Sequence, residues 1–350
     1  MPSSALDNPT IGRPLVGARP GESSMRALCF HRTGGPEVLG LEDMPRPEAR
    51  PGKIVVRVAA AGLNAADVLE RTGRYIEARS FPAVAGREVA GTVAAVGDGV
   101  TGFEPGQRVM GFARGSFADY ALTIPSLLFP VPDNLDFVRA AALPLQGLTA
   151  HLALTTAGRL QPGETVLVQS AAGGVGLLAI QLARPLGAAT VIGTASTGDK
   201  RGLIGSLGAD AAIDYTGDDF EERVHQLTGH RGADLVLDAV GGDAFCRSLS
   251  VLAPLGRLIV YGRSSGEAGR VDTYDLIPRS LSVQGFALQS YFRQPELTAR
   301  AMGELTRYVT TGQLELVIAG VFPVQRFAEA YAALEDRQIV GKVVLTLDDA

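Results

Sequence analysis

Apolar positions in this chain fall into two textures that meet at about residue 144. From residue 25 to about 143 they come in short β-branched runs: Lys53-Ile-Val-Val-Arg-Val-Ala-Ala, Glu88-Val-Ala-Gly-Thr-Val-Ala-Ala-Val and Arg108-Val-Met-Gly-Phe, with another over 116–124. Glycine and proline punctuate them, as at Pro105-Gly106. Such runs predict strands, and many short strands with few helices predict a mostly β, barrel-like domain. Beyond residue 144 strand and helix alternate. Strands are predicted over 165–170, 190–194, 211–214, 235–238, 258–261 and 281–286, with helices running to 186 and over 200–207 and 220–227. Six strands at that spacing predict a doubly wound, six-stranded parallel sheet, so the fold class is α/β. A helix after Pro295, a short strand, a helix over 327–334 and a last strand, Lys342-Val-Val-Leu-Thr, close the chain.

Composition agrees with two packed domains. The 350 residues are 46% hydrophobic and 20% charged, a globular profile. Acidic residues outnumber basic ones, 37 to 32, which argues against a nucleic-acid partner. Two cysteines, Cys29 and Cys246, build neither a disulfide scaffold nor a four-thiolate zinc site. No apolar run reaches the roughly 18 residues of a membrane-spanning helix. Residues 1–24 are rich in proline, glycine and serine, lack a signal-peptide core, and read as a flexible extension. These features lead us to expect a soluble, cytoplasmic protein.

The first chemistry lies where the first strand of the α/β region meets its helix. There the chain reads Ala171-Ala172-Gly173-Gly174-Val175-Gly176. This is a G-x-G-x-x-G dinucleotide turn with alanine at its first glycine. Gly173 lets the backbone approach a pyrophosphate, Gly176 lets the helix pack on the strand, and the helix N-terminus offers N–H groups to the anion. Its place between strand and helix is the context that separates it from an ordinary tight turn. The tip of the second strand, Gly193-Thr194-Ala195-Ser196, carries no carboxylate to hold a ribose diol or repel a 2′-phosphate. Ser196, Lys200 and Arg201 offer a hydroxyl and two positive charges, with Asp199 expected as the helix cap. The cofactor expected is NADPH; the alternative is that these charges are solvated surface.

The chain resembles the zeta-crystallin-type quinone oxidoreductases, zinc-free members of the medium-chain dehydrogenase/reductase superfamily. Besides the glycine turn, the resemblance rests on Ala61-Gly-Leu-Asn64-Ala-Ala-Asp67, Ala85-Gly-Arg-Glu88-Val-Ala-Gly, Pro105-Gly-Gln-Arg-Val109, Gly147-Leu-Thr-Ala, Asp238-Ala-Val-Gly-Gly and Gly341-Lys-Val-Val-Leu. It implies a GroES-like catalytic domain (25–143 and 287–350), a Rossmann NADP-binding domain (144–286) and a cleft between them. It also implies a homodimer joined through the sixth Rossmann strand, near residues 281–285. Zinc-dependent relatives carry a cysteine in the loop before the Asp67 position and a histidine at the position of Arg87. This chain has neither, and His31, His151, His225 and His230 form no ligand cluster, so no metal is expected.

Without zinc, the chemistry expected is hydride transfer to an acceptor that is already electrophilic, a quinone or an α,β-unsaturated carbonyl, with the protein orienting it and stabilising the developing oxyanion. The resemblance places Asn64 and Asp67 in the active-site loop, Asn64 to donate to a carbonyl and Asp67 to organise hydrogen bonds. Tyr75, eleven residues after Asn64, would lie over the substrate as donor or acid. Leu69 stands where some quinone reductases have a second tyrosine, which makes the pocket more apolar. Cofactor contacts implied are Gln146, Thr149, Ala172, Gly173, Gly174, Val175, Ser196, Lys200, Tyr215, Val240, Gly262, Arg263, Phe286, Leu288 and Arg337. Alternative readings are a 2-enoyl thioester reductase and a non-catalytic NADPH-binding protein.

Overall fold

The structure, a computed structural model, describes residues 24–77, 79–217, 219–336 and 339–347. The expected N-terminal extension, apart from Ser24, and Arg337 lie outside the described residues. The chain forms two compact units. The first holds the chain up to Leu145, then Tyr291–Met302 and everything from Ile318; the second holds Gln146–Ser290 and Gly303–Val317.

Eight strands open the first unit: β1 (Ser24–Phe30), β2 (Leu39–Pro45), β3 (Ile54–Leu63), β4 (Ala83–Val84), β5 (Glu88–Val96), β6 (Arg108–Phe112), β7 (Tyr120–Thr123) and β8 (Leu128–Pro130). Six build the second: β9 (Thr165–Val168), β10 (Thr190–Thr194), β11 (Ala211–Ile213), β12 (Ala233–Asp238), β13 (Leu252–Val260) and β14 (Ser282–Gly285). The chain then returns to the first unit with β15 (Ile318–Pro323) and β16 (Lys342–Thr346).

In the first unit β2-β1-β4 form a small antiparallel sheet, and a seven-stranded sheet runs β15-β16-β3-β5-β6-β8 with β7 also on β3. β3 is central, paired with β5, β7 and β16, and its Ile54, Val56, Val58 and Leu63 enter a core with Val89, Val109, Phe117, Tyr331 and Val343. This is the mostly β, GroES-like domain expected. The register sets Val343 against Leu63 and Val344 against Gly62, which brings the last strand beside the start of the Asn64 loop.

The second unit is a parallel sheet ordered β11-β10-β9-β12-β13-β14. In chain order of its six strands that is 3-2-1-4-5-6, the doubly wound dinucleotide topology. Every residue of β9 and β12 is buried, as central parallel strands covered on both faces must be. β14 is an edge strand, largely exposed.

The helix Pro295–Thr310 is divided between the units. Glu304 meets the buried His151 (Oε2 to Nε2, 2.8 Å), and beyond the helix Glu315 exchanges two backbone hydrogen bonds with the Gln181 side chain (2.8 and 3.1 Å). These partners explain why 303–317 groups with the parallel sheet, whereas the sequence assigned everything from 287 to the first domain. A helix over Gly242–Ser250 was not expected. Gly241 and Gly242, both at positive φ, open it and make the segment look like a turn, while Phe245 and Leu249 give it a buried side.

Candidate functional site

In the second unit the chain passes from β9 through Gln169 and Ser170 into the glycine turn. Gly173 caps the helix Gly174–Ala183 in an extended conformation. A Cβ on Gly176 would lie 2.5 Å from the Ser170 carbonyl oxygen and 2.6 Å from Ala171 Cα, both backbone atoms, so helix and strand approach as only glycine allows. A Cβ on Gly174 would strike the amide of Gln146, which therefore packs against the turn. Ala171 is fully buried and donates its N–H to Thr194 O (2.9 Å), fastening the turn to β10. Thr194 Oγ1 also accepts from Ser170 N and donates to Gln169 Oε1. Ala172, Gly173, Gly174, Val175 and Gln146 are thus brought to one place.

At the tip of β10, Ala195 is buried and Ser196 half-buried. The helix Gly198–Ser206 is capped by Thr197, whose hydroxyl accepts from Lys200 N. This corrects the expectation that Asp199 is the cap; Asp199 lies in the first turn. Arg201 Nη1 donates to Ala195 O (3.1 Å) and Asp214 Oδ2 (2.7 Å); Ser196 and Lys200, the residues expected at the 2′-phosphate, are both half-buried. Hydrogen bonds from Thr216 hold the Asp214 carboxyl below the ordinary range.

Apart from Thr149, the other expected contacts among the described residues lie at or just past the carboxyl ends of the other strands. Tyr215, largely exposed, follows β11. Val240 follows β12, where Asp238, fully buried, accepts from the N–H groups of Val240 (2.7 Å) and Gly241 (3.2 Å). Burial raises the Asp238 carboxyl above its usual range, partly offset by those bonds. Gly262 passes close to Ala239, and Arg263 is exposed. Phe286 and Leu288 are buried just past β14. Thr149 is buried on the helix Pro144–Leu152.

In the first unit the chain turns from β3 into the helix Ala65–Arg71 at Asn64. The Asn64 N–H donates to Asp67 Oδ2 (2.8 Å), the carboxylate half of a capping box. The Asn64 amide donates to Gly62 O (3.0 Å) and Glu88 Oε2 (3.0 Å), and its oxygen accepts from Lys342 Nζ (2.6 Å). Both amide hydrogens are therefore engaged, and donation to a carbonyl would exchange one of them. Lys342 Nζ also lies 2.6 Å from Glu88 Oε2, and Glu88 Oε1 accepts from Leu145 N. Glu88 and Lys342 are buried, so this is a desolvated ion pair, with the Asn64 amide and the Leu145 N–H as its further partners. Gly62 makes room for it: a Cβ there would lie 2.3 Å from Glu88 Oε2. Glu88 and Lys342 stand in motifs that carry the resemblance, but neither was given a role from the sequence; the signal available was a lysine, one of only three, heading an apolar strand.

Asp67 faces a second cluster. Its Oδ1 accepts from Arg87 Nε (3.1 Å), and Glu70 Oε2 lies 3.1 Å from Arg87 Nη2 and from Arg79 Nη2. Burial pushes the Asp67 carboxyl up, against the pull of Arg87. Burial also pushes Glu70 up, but the bonds and charges of Arg79 and Arg87 outweigh it and hold Glu70 low. Tyr75, half-buried, lies under the Arg87 guanidinium, 4.3 Å from ring centroid to Cζ. Asn64, Asp67 and Tyr75 are thus linked, Asn64 to Asp67 directly and Asp67 to Tyr75 through Arg87. Leu69 and Ile76 are exposed beside them.

Residues 50–133 match the alcohol dehydrogenase GroES-like domain, and residues 174–306 match the zinc-binding dehydrogenase family. A quinone oxidoreductase of Pseudomonas aeruginosa is 38% identical over 324 residues, 91% of this chain and 99% of its own length. The chain belongs to the quinone oxidoreductases of the medium-chain dehydrogenase/reductase superfamily, a family of oxidoreductases. Its fold superposes on Escherichia coli quinone oxidoreductase complexed with NADPH with a TM-score of 0.87 at 33% identity, covering 92% of this chain and all of the other. A 2-haloacrylate reductase gives 0.83 at 34% identity over 93% of this chain and all of its own. Among the described residues no three His, Cys, Asp or Glu side chains are grouped to hold a metal ion, and no helix is long and apolar enough to cross a membrane.

Proposed function

We propose that this protein is an NADPH-dependent reductase that delivers hydride to quinones or α,β-unsaturated carbonyls without a metal. The observation that carries this reading is the glycine turn after the carboxyl end of β9, followed at the tip of β10 by a carboxylate-free stretch with Ser196 and Lys200. The NADPH complex of a relative with the same fold supports the cofactor, and the names of two relatives, a quinone oxidoreductase and a 2-haloacrylate reductase, support the acceptor class.

NADPH, when bound, supplies the hydride. The N–H groups of Gly174 and Val175, free at the start of their helix, receive the pyrophosphate. Ser196 and Lys200 would hold the 2′-phosphate, Tyr215 would pack near the adenosine, and Val240, Gly262 and Arg263 would line the strand ends between the glycine turn and β14. Gln146, Thr149, Phe286 and Leu288 shape the nicotinamide end. In the first unit Tyr75 donates a hydrogen bond, then its proton, to the acceptor oxygen as charge develops there. Asn64 supplies a second donor by exchanging its bond to Glu88 or Gly62, and Asp67 holds the loop. The exposed edge of β14, Ser282–Gly285, pairs with its copy in a homodimer, which removes an unpaired sheet edge. Light scattering at micromolar concentration should give twice the 36.5 kDa chain mass.

The test is NADPH oxidation screened against quinones, enones and enoyl thioesters. Turnover of quinones or enones, retained after exhaustive chelation, is expected. Turnover of enoyl thioesters alone would shift the substrate class, and binding without turnover of any acceptor would leave only a cofactor-binding protein.

A further inference from the structure

We propose that Arg87 is a positioning residue for Tyr75, its guanidinium clamped by two buried carboxylates so that its flat face fixes the plane of the phenol ring. The inference rests on Tyr75 being the group that meets the acceptor oxygen.

Tyr75 lies in the loop after the helix Ala65–Arg71. Arg74 N and Tyr75 N both donate to Leu69 O (2.8 and 3.1 Å). These bonds fix the loop backbone, and the side chain's own contacts set the direction of the hydroxyl; the Arg87 guanidinium over the ring is one of them. Arg87 comes from the far side of the loop, immediately before β5, and is only 14% exposed. Its donor edge is spent on one side: Nε on Asp67 Oδ1 (3.1 Å), and Nη2 on Glu70 Oε2 (3.1 Å) and Ala66 O (3.5 Å). Glu70 is itself held by Arg79. Bonds along the edge hold the guanidinium, whose Cζ lies over the ring, 4.3 Å from its centroid. A planar, delocalised cation stacked on an aromatic face both attracts and orients it.

The alternative is that Arg87 serves only as counter-ion to Asp67 and Glu70. Lysine separates the two roles, because it keeps the charge but has no plane to stack. Arg87→Lys is therefore placed in a double-mutant cycle with Tyr75→Phe, which keeps the ring and removes the hydroxyl. For an enone acceptor, Arg87→Lys should lower kcat about 10-fold, since small misplacements of a reacting group are costly, with NADPH Kd unchanged. In the Tyr75→Phe background the same substitution should change kcat less than about twofold, because the group it positions is gone. Equal losses in both backgrounds, or no loss in either, would overturn the inference while leaving Tyr75 in place. An unchanged kcat for Tyr75→Phe alone would overturn the assignment of Tyr75, and this inference with it. Should Arg87→Lys not fold, Glu70→Gln loosens the same clamp with little change in shape. A kcat loss for Glu70→Gln that vanishes in Tyr75→Phe supports the inference, and one that persists overturns it.

Discussion

The two units build their candidate functional surfaces from opposite materials. In the second, the turn after β9 works by leaving side chains out. Gly174 and Gly176 vacate space that Gln146 and the Ser170 carbonyl occupy, and what is offered is backbone N–H. In the first, the loop after β3 is packed with buried charge: Asp67, Glu70, Arg79, Arg87, Glu88 and Lys342 are each at least partly buried and paired. A backbone cradle presents the same donors at any pH and fails when volume is added. A side-chain cluster fails when one charge is removed.

The largest effect is expected from breaking the buried pair. Lys342→Met leaves Glu88 without its cation and should cost about 3–5 kcal/mol of stability, read from denaturant unfolding. In the second unit the strongest single side-chain effect should be on cofactor choice. Lys200→Ala removes a charge-assisted contact worth roughly 1.5–3 kcal/mol, about 10- to 100-fold in NADPH affinity, and should leave NADH nearly unchanged. Equal weakening of both cofactors would show that Lys200 does not face the 2′-phosphate. Gly176→Ala forces a Cβ against backbone and should cost about 1–3 kcal/mol of stability and weaken NADPH binding as well, with no dependence on pH.

The smallest effect distinguishes the units by titration. Glu70 is held below its ordinary pKa, so its pairing stabilises the fold above the unfolded-state value of about 4.3 and is lost as pH falls through the lower folded-state value. The stability gap between wild type and Glu70→Gln at neutral pH should therefore close in acid. A gap that persists at the lowest pH at which both remain folded would mean that the ionised pair is not its source.

What could be read from the sequence follows the same division. Glycine demands are local, so the turn at 173–176, the strand–helix alternation and the bare tip of β10 were legible from short windows. The cap of the following helix was misplaced within such a window, because Thr197 and Asp199 are both good caps two residues apart and only backbone geometry separates them. The buried pair was not legible: Glu88 and Lys342 are 254 positions apart and meet only because β16 returns to lie on β3. The stack of Arg87 on Tyr75 was hidden likewise, since a guanidinium in sequence carries no sign of which ring it will cover.

The proposed function is that NADPH gives its hydride to an electrophilic acceptor, a quinone or an enone. It is tested most directly by reducing an enone with NADPH deuterated at the transferable position, and locating the label by mass spectrometry and NMR. The account predicts one deuterium per product molecule, at the β-carbon of the former enone. A product carrying no deuterium, or NADPH that binds and is never consumed, would contradict it.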